Sequence, residues 1–430
     1  MPPAAGRRPK SRPLRKSARD RLLLRARLLL PISGPPVENA LIEITAGKIT
    51  ALGPASPGHG AQDLGDTLVL PGLINAHCHL DYTGVAGKIP PTKSFGAWIK
   101  TLLAIKSEWG RSDYQRSWAE GAAMLLRTGT TTVGDIEVVP ELLPAAWDTT
   151  PLRVFSFLEM TGVRSGRPPA QILGQALAQL AALGDATHPA GLSPHALYST
   201  TPALLKLAAA AARKKNLRIA THVAESDEEF DMYLHGRGPL FDWLHSQRDC
   251  SDCGQRSPVQ QLERLGLLSS RFLAIHVNYL GPGDAALLAR RGAHVVHCPR
   301  SHAYFRHQPF PFSELKRAGV NVALGTDSLA SINRPRHRPT ELNMFSEMQC
   351  FAARNPGVPA RAILQMATLQ GARALGMKGQ LGEIIPGAAA DLIGIPFSGK
   401  KRDAIEAAVH HSGDVSSSMI AGRWAIPHPK

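Results

Sequence analysis

The chain has 430 residues, 43% of them apolar, 19% charged and 6% aromatic, enough for one large domain or two modest ones with a proper core. No uninterrupted apolar run is long enough for a spanning helix, and the 39 glycines and 34 prolines follow no fibre-like period. The formal charge of +15 looks like a nucleic-acid signature until it is located, because much of it is concentrated at one end.

Residues 1–27 hold ten Lys and Arg against one acid, Asp20, and the rest of the chain is close to balanced. Residues 1–21 read as a basic extension without a core of its own. Such an arm can touch nucleic acid or an anionic surface, although solvation alone accounts for it, so no nucleic-acid partner is expected. Arg25 and Arg27 split the leucine runs, and no small-residue cleavage site follows, which excludes a secretory signal. The five cysteines, odd in number and sparse, fit a reducing, cytoplasmic setting. Cys250 and Cys253 form one CxxC, too few ligands for a structural zinc.

From residue 22 to 67 the pattern is one of short strands and tight turns: 40–45 alternates, Ala46-Gly47-Lys48 turns, and Gly53-Pro54 breaks. At the far end, 384–386, 391–395 and 418–424 are short glycine-punctuated strands. Together the two ends, 22–67 and 376–424, predict a small β-sandwich. Between them, strand-like runs at 68–74, 131–136, 153–158, 190–193, 217–221, 272–275, 293–296 and 320–324 alternate with helical stretches. One helix is predicted over 203–215, with Thr201 as its N-cap and Pro202 at its first position. This alternation over 68–375 predicts an α/β fold, a (β/α)8 TIM-like barrel, though a doubly wound sheet alternates in the same way.

Chemistry-bearing residues cluster at the strand ends. His77 and His79 follow the first run, two apart and so able to face one point; His222 ends the fifth, His276 the sixth, and Asp327 follows the eighth. A parallel barrel builds its active site at those carboxyl ends. Three imidazoles and a carboxylate suit Zn2+ or Fe2+ with one position open for water. Glu225, three residues after His222, is placed to carry protons there.

Pro71-Gly-Leu-Ile-Asn-Ala-His-Cys-His-Leu80, His222-Val-Ala-Glu225, His276 and Gly325-Thr-Asp-Ser328 resemble the amidohydrolase superfamily, and within it the deaminase and chlorohydrolase branch. The resemblance covers 22–424 and implies a metal-dependent hydrolase barrel with one divalent metal, Zn2+ ahead of Fe2+, held by His77, His79, His222 and Asp327. It also implies that His276 orients the water, Glu225 shuttles protons and Asp327 accepts the water proton. Where binuclear relatives carry a carboxylated lysine, this chain has Ser193-Pro194-His195, which favours one metal.

Two further stretches, His297-Cys-Pro-Arg-Ser-His-Ala-Tyr-Phe305 and 319–331, resemble aminodeoxyfutalosine deaminases of menaquinone synthesis; Ser193-Pro-His195 resembles the purine-contacting segment of adenosine and S-adenosylhomocysteine deaminases. Trp98, His195, Glu225, Arg300 and Ser328 are the substrate-binding residues this implies. Ala97 stands where those nucleoside enzymes carry a ribose-gripping Glu. Arg300, with Tyr304 and Phe305 near it, is expected to pair with the benzoate of aminodeoxyfutalosine. The expected function is hydrolytic deamination of a 6-aminopurine nucleoside, aminodeoxyfutalosine first, with a small nucleoside-like molecule and water as partners, no membrane, and homo-oligomer formation left open. The alternatives are deamination or dechlorination of guanine, a pterin or an s-triazine, or a non-catalytic barrel scaffold. A cytidine-deaminase fold is excluded: His222 and Glu225 are spaced His-x-x-Glu, and Asp249, not Pro, precedes Cys250.

Overall fold

The computed structural model describes residues 21–428 except 55–59, 91, 93, 164, 184–187 and 334–339. The predicted basic extension lies outside the described residues up to residue 20. Arg21 begins the first strand, and Arg21, Arg25 and Arg27 pair on the surface with Glu43, Asp63 and Asp66 at 2.8, 3.4 and 3.5 Å.

Eight parallel strands make the barrel: Leu73–Cys78, Thr130–Glu137, Arg153–Met160, Ala190–Pro194, Ile219–Val223, Phe272–His276, His294–His297 and Asn321–Leu324, each beside the next. Several are buried along their whole length, as a parallel sheet covered on both faces requires. The ring is nearly closed by hydrogen bonds just beyond the last strand. Thr326 and Asp327 N–H groups donate to the His77 carbonyl at 3.1 and 3.2 Å, and Asn75 Nδ2 donates to Thr326 Oγ1 at 2.7 Å. Gly325 makes this approach possible, since a Cβ there would stand 2.7 Å from the His77 oxygen. The helix predicted after Thr201 spans Pro202–Lys215. Thr201 accepts from the Leu204 N–H, Leu204, Leu205, Ala208, Ala209 and Ala212 are buried at helical spacing, and Asn216 ends it in the left-handed region.

The two chain ends form one mixed, eight-stranded sheet around a core that includes Leu24, Ile42, Ile44, Val69, Leu392 and Met419. It is the small β-layer that the sequence predicts from the two chain ends, with its strands hydrogen-bonded into a single sheet. Its central strand, Thr67–Pro71, runs parallel to Arg21–Leu29 and antiparallel to Leu392–Pro396. The predicted strand 68–74 is therefore two strands in two sheets, parted at Gly72. Leu68 and Leu70 pack into the barrel's core while Val69 packs into the sheet's, as alternation dictates. Likewise 418–424 is a hairpin, Ser417–Ile420 and Arg423–Ile426, turning at Ala421 and Gly422 with φ of 49° and 76°. Residues 384–386 form no strand; Ile384 is buried in the small core. Among the described residues no helix is long and apolar enough to cross a membrane, and all five cysteines are free.

Candidate active site

His77 and His79 leave the first barrel strand, His222 the fifth and His276 the sixth, and Asp327 follows the eighth; all are almost fully buried. Asp327 Oδ1 lies 3.7 Å from His77 Nε2 and 3.8 Å from His79 Nε2. The backbone is held in the left-handed region at Ala224, His276 and Asp327, with φ of 46°, 73° and 55°. Non-glycine residues reach that region at a cost, and here they cluster where strand ends deliver these side chains.

Hydrogen bonding fixes which atoms are left over. His222 Nδ1 donates to the His195 carbonyl at 2.8 Å, so its Nε2 carries a lone pair, and that atom lies 3.2 Å from His79 Nε2. Both ring nitrogens of His77, Nδ1 of His79 and Nε2 of His276 are buried without a hydrogen-bond partner. Burial pushes the His79, His222 and His276 imidazoles well below 6.5, so they stay neutral. Burial works the other way on Asp327, but the surrounding imidazoles outweigh it and hold the carboxyl well below 3.8. The donor atoms of His77, His79 and His222, and those of His77, His276 and Asp327, each form a group tight enough to hold a metal ion. Imidazole nitrogens and an ionised carboxylate converging on one buried point fit a cation.

Glu225 sits beside this cluster, its Oε1 3.6 Å from His276 Nε2. Its N–H donates to Glu229 and its carbonyl accepts from Asn278, which fixes the backbone while the carboxyl stays uncommitted. Burial pushes that carboxyl well above 4.5, and the charges of Asp327 and Glu229 push it further.

Over the cluster lies a cavity of about 520 Å³, lined by His79, His195, His222, Glu225, Asp327 and Ser328 at its polar end, and by Trp98, Leu102, Val163, Tyr198 and Trp243 elsewhere. Residues 68–425 match the amidohydrolase family. The chain belongs to that family. The curated 5-methylthioadenosine/S-adenosylhomocysteine deaminase of Syntrophobacter fumaroxidans is 29% identical over 95% of this chain and 93% of its own length. That of Desulfovibrio desulfuricans is 31% identical over 87% and 83%. An adenosine deaminase from Xanthomonas campestris, solved with bound zinc, superposes with a TM-score of 0.81 at 24% identity, covering 94% of this chain and 92% of that one. Helicobacter pylori aminofutalosine deaminase gives 0.81 at 21% identity, covering 94% and 99%. These two structural likenesses establish the fold.

In this amidohydrolase, the residues expected to meet substrate divide. Trp98, His195, Glu225 and Ser328 line the cavity. Trp98 is held by its Nε1 donating to the Ala330 carbonyl at 3.2 Å, and His195 Nδ1 meets Ser199 Oγ at 2.7 Å. His77 and His276 belong to the cluster without lining the cavity. Arg300 is a correction. Its N–H donates to the buried carboxylate of Glu347 at 2.9 Å, its Nε lies 3.6 Å from that carboxylate, and its Nη1 donates to the Glu341 carbonyl at 2.9 Å. It lines a different cavity, of about 450 Å³, with Arg127, Glu341 and Asp414. Cys250 and Cys253 enter no group able to hold a metal among the described residues.

Several site residues escape the sequence reading. Ser301 and Ser331 hydroxyls donate to Asp327 Oδ2 at 2.7 and 2.9 Å, leaving Oδ1 for the imidazoles. Tyr82 stacks on His79 with ring centroids 4.8 Å apart. Lys106 and Glu159 line the cavity. Of these, only Glu159 has a readable signal, its place near the carboxyl end of a predicted strand.

Proposed function

We propose that this hydrolytic deaminase acts on a 6-aminopurine nucleoside of the methylthioadenosine type and uses one divalent metal, with Zn2+ the first choice. The observation that carries the reading is the set of buried imidazole nitrogens without partners, converging with Asp327 at one end of an apolar cavity beside an uncommitted Glu225. His77, His79, His222 and Asp327 would hold the metal. When bound, such a metal supplies Lewis-acid polarisation and a water of lowered pKa.

The protein's own groups carry the protons. Glu225, kept protonated by its burial, gives its proton to the ring nitrogen as water adds to the amidine carbon. Asp327, held ionised, takes one proton of that water and returns it to the departing ammonia, while the other water proton passes from the new hydroxyl to Glu225 as the carbonyl forms, which restores both groups. His276, beside Glu225, orients the water. The Trp98, Tyr198, Trp243 and Leu102 walls suit a purine and an apolar 5′ substituent.

Aminodeoxyfutalosine, preferred from sequence, loses its main support with Arg300 in another cavity. A thioether nucleoside replaces it as first candidate, in keeping with the names of the curated relatives. The free thiols support a cytoplasmic setting. The test is ammonia release from 5′-methylthioadenosine, S-adenosylhomocysteine, adenosine, aminodeoxyfutalosine, guanine and an s-triazine. The expected result is the highest kcat/KM for a thioether nucleoside; guanine or a triazine outpacing every nucleoside overturns the reading.

A further inference from the structure

Two charged side chains in the cavity are used by neither the metal cluster nor the proton transfers. Glu159 stands one residue from the carboxyl end of the strand Arg153–Met160, and its Oε2 is buried without a hydrogen-bond partner. Lys106 comes from the last turn of the helix Phe95–Ser107; its Nζ donates to the Tyr82 hydroxyl at 2.5 Å, and Tyr82 stacks on His79. Both line the cavity, yet among the described residues they form no ion pair with each other or with anything else. Burial pushes the Glu159 carboxyl up and the Lys106 ammonium down, against the attraction of the two for each other and of Asp81 for Lys106. Buried polar groups of this kind call for a ligand to complete them.

We propose that Glu159 and Lys106 together hold a hydroxyl-bearing part of the substrate, the vicinal diol of a sugar joined to the reacting ring. The assignment rests on the nucleoside reading above and deepens it. A carboxylate on the ligand meets repulsion from Glu159, and an ammonium meets repulsion from Lys106. A hydroxyl is neutral and does both jobs, donating to the carboxylate and accepting from the ammonium. Position selects which part of the ligand is held. Lys106 is one tyrosine ring away from His79, so this end of the cavity meets the group adjoining the heterocycle, and the apolar wall of Trp98, Leu102 and Trp243 is left for the tail.

The test compares 5′-methylthioadenosine with its 2′,3′-dideoxy counterpart, by calorimetric binding to Glu225→Gln protein and by ammonia release from the wild type. Binding to the Glu225→Gln protein should favour the diol by about 10- to 100-fold, the range for hydrogen bonds to charged groups. Adding Glu159→Gln should collapse the preference to near unity, and adding Lys106→Met, which reads the same contact from the other side, should shrink it. In the wild-type background Glu159→Gln should act mainly on KM. No preference in the parent, or an undiminished preference in both variants, overturns the assignment. Ammonia release without a diol preference sinks the assignment and leaves the deaminase reading standing. A diol preference without ammonia release does the reverse.

Discussion

Two cavities of similar size open in this molecule, and they treat charge in opposite ways. In the one around Arg300, of about 450 Å³, the lining cations are matched: Arg127 binds Glu341 and Asp414 at 2.9 and 2.7 Å, and Arg300 donates to the Glu341 carbonyl at 2.9 Å. In the one around His79, of about 520 Å³, Nδ1 of His79 and Oε2 of Glu159 have no partner, nor do the ring nitrogens of His77 behind it. Charge that the fold already satisfies has a structural account. Buried polar atoms left over are where a protein has kept capacity for something else.

The largest effect that can break this contrast is loss of the cluster itself. His79→Ala should lose the metal and bring ammonia release to background, read by elemental analysis and assay on one preparation; full activity without metal would contradict it. Next, Glu225→Gln should keep the metal and lose on the order of 10²–10⁴-fold in kcat, the usual range for general acid–base catalysis. Near-normal turnover would reduce Glu225 to a buried acid. Ser301→Ala, which frees Asp327 Oδ2, should cost roughly 10- to 100-fold in metal affinity or activity, the scale for groups that orient a ligand.

The Arg300 cavity should answer differently. Arg300→Met should destabilise the fold by about 1–3 kcal/mol, the cost of a buried partner left alone, and change kcat/KM for carboxylated and uncarboxylated nucleosides by one common factor. A selective loss on the carboxylated substrate would restore Arg300 to the substrate. A smaller effect concerns its partner. Burial pushes Glu347 from 4.5 up to about 8, beyond what Arg300 can counter. The folded state therefore holds this proton more tightly than the unfolded chain. The associated stability is full below about pH 4.5 and is lost as pH rises through about 8. Denaturant titrations at pH 5 and 8.5 should differ less in Glu347→Gln than in the wild type.

Much of this was readable before the structure, for a physical reason. Parallel strands buried on both faces are apolar runs, and the polar residue that ends each one stands out; His222, His276 and Asp327 are visible this way. What hid was continuity and pairing. The run 68–74 carries no polar residue at the point where it changes sheets, so only Pro71-Gly72 marks the break. Arg300 read as a substrate ligand because its acceptors, Glu341 and Glu347, lie more than forty residues away and nothing local announces them. Ser301 is likewise separated in sequence from Asp327, whereas Ser331 stands four residues after it and was hidden only because its hydroxyl turns back to that carboxylate.

The most direct test of the central claim is ammonia release from 5′-methylthioadenosine by wild-type protein stripped with a chelator and titrated with Zn2+. Activity should be absent from the stripped protein and rise linearly to a plateau at one equivalent per chain. Ammonia release from the stripped protein, or none after a full equivalent has bound, would contradict the account.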